Sequence, residues 1–130
     1  MQKMKIGLLL ICILCTGCFG GNNNPKTISE LYPGNIMNVD RIEILDGSTG
    51  ESKTYEHVDH IVSLLEAIKD EVFILDSDQA ERDGFSYAVE LFEGKKLKMA
   101  FSPSRLNNKN YITDENLTIS IRNFFDGTTE

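Results

Sequence analysis

Three groups of side chains in this 130-residue chain have the type and spacing that chemistry needs. The first is Cys18, a thiol preceded by Thr16 and Gly17, whose small side chains let an extended backbone enter a narrow protease site. The second is the pair His57 and His60, the only histidines. Three residues apart on a helix, both imidazoles can reach one metal ion, with Glu56 or Asp59 alongside. Zinc needs a further ligand from elsewhere, and no motif supplies it. The third is the acidic stretch Asp76, Asp78, Glu81 and Asp83. It fails the calcium-loop pattern D-x-[DN]-x-[DN]-G, because Ala80 and Glu81 stand at the third-ligand and glycine positions. Two solvated histidines and a solvated acidic loop are the default expectations. His57, His60, Asp76 and Asp78 stay as weak metal candidates, and no cofactor is expected.

Catalysis finds little to work with. The chain has no nucleophile elbow, no Gly-rich phosphate loop and no Ser-His-Asp order. Ser102 and Ser104 flank Pro103 without a base near them in sequence. The expectation is a protein that is not an enzyme.

Around Cys18 the chain reads as a leader. Lys3 and Lys5 precede an apolar run from Ile6 to Leu14 broken only by Gly7 and Cys12. That run has the length of a signal-peptide core and is too short for the ~20 residues of a spanning helix. It closes on Leu14-Cys15-Thr16-Gly17-Cys18, which resembles the lipobox of bacterial lipoproteins, with Cys15 where Leu is commonest. The resemblance implies a diacylglyceryl thioether on Cys18, palmitate-type acyl chains and cleavage just before it. Two or three acyl chains hold a protein durably at a membrane, where one does not. The expected divisions are a signal peptide over 1–17, a lipidated Cys18 and flexible tether with a short helical turn over 18–37, and one domain over 38–127.

Composition narrows the partners. Removing residues 1–17 takes away two lysines and no acid, so a net charge of −7 becomes −9. Such a body repels nucleic-acid phosphate, so nucleic acid is not expected as a partner. All three cysteines lie at or before Cys18, so the folded part has no disulfide, thiolate metal site or Cys nucleophile.

Elements that would carry these groups follow from periodicity. Thr27-Ile28-Ser29-Glu30 has capping-box spacing, and Pro33-Gly34 stops the turn it starts. Residues 28–37 are apolar enough either to pack on the domain or to dock a partner. Residues 39–45 and 53–55 predict strands around the Asp46–Gly50 turn. Val58, Ile61, Val62, Leu65 and Ile68 predict a helix over 56–70. Residues 72–75 predict a short strand before the acidic loop 76–83. Residues 85–92 and 96–101 alternate as a hairpin about Glu93-Gly94, with Glu90 expected to face lysines. Residues 104–110 read as a polar loop, 111–112 as a brief edge strand, and a last helix runs from Asp114 to about Gly127. The aromatic set Phe85, Tyr87, Phe101, Tyr111, Phe124 and Phe125 is expected in the core. The order predicts an α+β domain: a small antiparallel sheet of about five strands with two helices packed on one face.

Thr16-Gly17-Cys18-Phe19-Gly20, Pro25-Lys26-Thr27-Ile28, the run from Ile42 to Gly50, and Gly84-Phe85-Ser86-Tyr87 with Leu91-Phe92 carry a wider likeness. The chain resembles the small YhfM-like lipoproteins of Gram-positive bacilli, a group with no activity to transfer. The resemblance implies localisation: a lipid anchor at the cell membrane, on its extracytoplasmic face. A binding or accessory module of the envelope, with an envelope protein as partner, is the expected function. A cation-binding lipoprotein using His57 and His60 or the loop 76–83 is the alternative.

Overall fold

The computed structural model of the chain describes residues 24–82 and 84–127. The leader, Cys18 and residues 19–23 of the tether lie outside them, as does Asp83.

The described chain opens on β1 (Lys26–Thr27) and a one-turn helix α1 (Ile28–Leu31). The capping box forms: Glu30 N donates to Thr27 Oγ1 at 3.1 Å, and Thr27 N donates to Glu30 Oε1 at 2.9 Å. That satisfies amides that a helix start otherwise leaves without acceptors. A 3₁₀ turn, Ile36–Asn38, leads into β2 (Arg41–Asp46) and β3 (Ser52–Tyr55). Helix α2 (Val58–Ile68) and β4 (Val72–Leu75) follow. Then come β5 (Tyr87–Glu93), β6 (Lys96–Ser102), β7 (Arg105–Leu106), β8 (Lys109–Ile112) and helix α3 (Glu115–Gly127).

All eight strands join one antiparallel sheet in the order β1-β4-β8-β7-β6-β5-β2-β3. Strand alternation divides its residues between two faces. The inner face carries Ile42 and Ile44 of β2, Val89 and Leu91 of β5, and Met99 and Phe101 of β6, all buried. Helices α2 and α3 cover this face, placing Ile61, Leu64, Leu65 and Ile68, and Leu117, Ile121 and Phe125, in the same cluster. Lys53 reaches inward from β3 and donates to the Phe125 carbonyl at 2.6 Å, which sets a cation against the C-terminal turn of α3.

The expected five strands with two helices must therefore be corrected: among the described residues the sheet has eight strands, and the α-helices number three. Two of the extra strands are two-residue pieces, too short to show a period. The polar stretch 104–110 is no loop but the β7–β8 hairpin. Asn107 and Asn108 turn it at φ 52° and 64°, left-handed values that Asn tolerates better than most residues. Residues 111–112 belong to an interior strand, since β8 lies between β4 and β7. Register differs too. Glu90 faces Ala100 and not a lysine: Lys96 stands opposite Glu93, and neither that pairing nor the one beyond the shift at Leu91/Phe92 brings a lysine opposite Glu90.

Residues 28–37 pack inward. Ile28, Tyr32 and Ile36 are buried in the main cluster, so the folded unit begins at β1 and not at residue 38. Tyr32 donates its hydroxyl to Glu93 Oε2 at 2.6 Å, pinning this segment to the β5–β6 turn. Burial, the bond donated to Glu93 and the Glu93 charge push the Tyr32 phenol well above its usual range.

Candidate functional site

With both longer helices on the inner face, the centre of the outer face is left open. Outward positions on neighbouring strands form two rows. One row runs Thr54, Glu43, Glu90, Ala100, each paired to the next across β3, β2, β5 and β6. In the other, Leu45 stands between Ser52 and Ala88, and Ser102 pairs with Arg105 on β7. Ala88, Ala100 and Ser102 are small, so the sheet floor is low here while its surroundings stand high. A groove of about 680 Å³ results, within the usual size of a ligand site.

One wall comes from the segment that joins β4 to β5, which must cross β8, β7 and β6. Arg82, Gly84 and Phe85 of that segment line the groove. Phe85 is 42% exposed, the one member of the aromatic set turned to solvent to this degree. Its carbonyl lies against Gly47, where a Cβ would come within 2.0 Å of it, and Gly47 N donates to Ser86 O at 2.8 Å. A glycine after β2 thus lets the wall close down on the sheet. The opposite end of the groove is bounded by Arg105, Asn107 and Asn108 of the β7–β8 hairpin.

The charges are unevenly shared. Glu43 and Glu90 oppose each other directly across β2 and β5, a like-charge pairing that weakens a sheet. Arg41 Nε lies 3.5 Å from Glu43 Oε2, and its guanidinium stacks 4.0 Å from the Phe92 ring centroid. Arg105 spends one N–H on Asn110 Oδ1 at 2.8 Å.

The acidic stretch is organised from within. Arg82 Nη2 sits 2.9 Å from Asp76 Oδ2 and 3.7 Å from Asp78 Oδ2. Asp76 Oδ1 accepts from Asp78 N at 2.9 Å, and Asp78 Oδ1 from Ala80 N at 3.0 Å. The Asp78 amide bond and the Arg82 guanidinium hold the Asp76 carboxyl below its usual range. A guanidinium therefore stands among these carboxylates where a calcium ion would otherwise be imagined. Asn110, buried under the loop, donates from Nδ2 to the carbonyls of Asp78 and Ala80 at 3.1 and 2.8 Å.

The histidines lie elsewhere, at the start of α2. His57 caps the helix, its Nδ1 accepting from Asp59 N at 3.3 Å, and its ring centroid is 5.2 Å from that of His60. Neither lines the groove. Among the described residues no group of three or more His, Cys, Asp or Glu is placed to hold a metal ion. Likewise, among them, no helix is long and apolar enough to cross a membrane.

The structure thus gathers Glu43, Phe85, Ala88, Glu90, Ala100 and Arg105, of which sequence reasoning named only Phe85, as core, and Glu90, as a partner of lysines. The signal was present as small residues at outward positions of two adjacent strands, visible once β5 and β6 are aligned. Comparison with protein-family models, with curated proteins and with solved structures finds no match.

Proposed function

We propose that this chain is a lipid-anchored, non-catalytic binding module, held through Cys18 at the extracytoplasmic face of the cell membrane. The groove on the outer sheet face is its binding surface. The observation that carries this reading is the low floor of Ala88 and Ala100 between paired carboxylates on one side and Arg105 with two asparagines on the other. The lining includes the hydroxyls of Ser52 and Ser102 but no histidine to activate them, which favours binding over catalysis.

Geometry along the chain is consistent with tethering. From Cys18 to Lys26 the backbone can extend at most ~29 Å at ~3.6 Å per residue. It enters the fold at β1, one edge of the sheet, whereas β5 and β2 lie five and six places away. At ~4.8 Å per strand that is roughly 24–29 Å along the sheet. The groove, which also takes in β6 and β7 four and three places from that edge, then extends away from the anchored edge, toward a component of the envelope. The likeness to the YhfM-like lipoproteins supports the anchor alone. The cation-binding alternative has less support, because Arg82 already answers Asp76 and Asp78 and His57 is engaged as a helix cap.

Two substitutions in cells test the reading. Cys18→Ser should release the protein from the membrane fraction, and full retention would refute the anchor. A photoreactive aromatic side chain in place of Phe85, which lines the groove and is exposed, should give a discrete adduct that the same side chain at Ser63, exposed on α2, does not. Adducts at Ser63 alone would refute the groove.

A further inference from the structure

The groove is polarised along its length, and polarity selects among ligands. At one end two carboxylates face each other, and Arg41 answers only Glu43. The half-buried Glu90 carboxylate takes no hydrogen bond or ion pair among the described residues. At the other end Arg105 has N–H groups beyond the one given to Asn110, and the side chains of Asn107 and Asn108 stand beside it. Arg82 is already committed to Asp76 and Asp78, so it adds little to this end. Between the ends lie the alanines of the floor and the exposed Phe85 ring.

We propose that the groove binds a short peptide with free termini, its ammonium group against Glu90 and Glu43 and its carboxylate against Arg105. This rests on the reading of the groove as the binding surface. A simple cation would leave the Arg105 end unanswered, and a simple anion would meet two carboxylates. A zwitterion satisfies both. Length follows from the sheet. Glu90 and Arg105 are two strands and one same-face step apart. With ~4.8 Å between strands and ~6.8 Å between same-face residues, their Cα atoms are roughly 12 Å apart. An extended peptide rises ~3.3 Å per residue, so three or four residues bridge the charges. Small side chains suit the space above Ala88 and Ala100, with an apolar one against Phe85.

The test is calorimetry with amide-shift mapping on the mature lipidated protein in nanodiscs, using trialanine, N-acetyl-trialanine and trialanine amide. Trialanine should bind and shift Glu43, Glu90, Ala100 and Arg105, and each capped form should bind at least tenfold more weakly. Glu90→Gln should weaken trialanine to the level of the acetylated form while leaving that form unaffected. Arg105→Gln should do the same for the amide, with melting temperatures reporting that both variants are folded. Equal binding of all three peptides overturns the charge assignment. No peptide binding, with N-acetylglucosamine or inorganic phosphate shifting the same residues, overturns the ligand class and leaves the groove standing. If no probe moves these residues, both readings fall.

Discussion

Gln79 and Asn110 exchange two hydrogen bonds: Gln79 Nε2 donates to the Asn110 carbonyl at 2.9 Å, and the Asn110 amide donates to Gln79 Oε1 at 2.9 Å. A side-chain amide thereby imitates a neighbouring strand and ties the 76–82 loop to β8. The Asn110 side chain completes the tie by holding two loop carbonyls and receiving Arg105. Loop, hairpin and groove end are one hydrogen-bonded unit.

Asn110→Ala should therefore cost more than an ordinary polar truncation. It leaves the Ala80 carbonyl without its donor, leaves the Asp78 carbonyl with only Arg82 Nη2 at 3.3 Å, and frees Arg105, for a loss of about 1–3 kcal/mol. Denaturant unfolding reads the stability. Amide exchange should show faster exchange at Asp78 and Ala80, with α2 unchanged.

Gly47→Ala should destabilise by on the order of 1–3 kcal/mol, because its Cβ would sit 2.0 Å from the Phe85 carbonyl. Gly50→Ala is the contrast. That position is open but holds φ 78°, so its cost is backbone strain alone. Only the Gly47 variant should shift the Phe85 ring resonances.

Acidification should loosen the loop. Asp76 has its carboxyl held below the usual range by the Asp78 amide and Arg82. Its contribution is present above the ordinary Asp pKa of ~3.9 and is lost as pH falls through the lower folded value. Exchange at Asp78 and Ala80 should accelerate there, and Asp76→Asn should remove that acid step.

At alkaline pH the sign is opposite. The Tyr32 phenol is raised in the folded state, so its contribution is complete below the ordinary Tyr value of ~10 and fades as pH rises beyond it. Ultraviolet titration should find a tyrosine step displaced above the ordinary Tyr range. Tyr32→Phe should remove one tyrosine from that displaced step and lose about 1–2 kcal/mol near neutrality, read by denaturant unfolding.

Much of the scaffold was legible in local chemistry. The Thr27–Glu30 capping box, the apolar stripe of α2 and the alternation of β5 each depend on residues within a few positions of one another. What escaped depends on pairings made across the fold. The β7–β8 hairpin hid because two adjacent asparagines look like loop composition, although here they are a two-residue turn. Glu90 was misassigned because its partner is set by the register across the hairpin, which puts Ala100 and not a lysine opposite it. The groove escaped for the same reason: Glu43, Glu90 and Ala100 meet only when three strands come into register. Arg82 is six residues from Asp76, yet its role as the loop's internal cation needed the loop's actual path.

The most direct test of the account is amide-shift mapping of the mature, lipidated protein against a small panel of peptides, amino sugars and phosphate. The account predicts that whichever probe binds will move Glu43, Ala88, Glu90, Ala100 and Arg105 together, and that Ala100→Trp, filling the floor, will abolish the shifts without lowering the melting temperature. Shifts confined to the helix face, or an Ala100→Trp variant that binds as before, would contradict it.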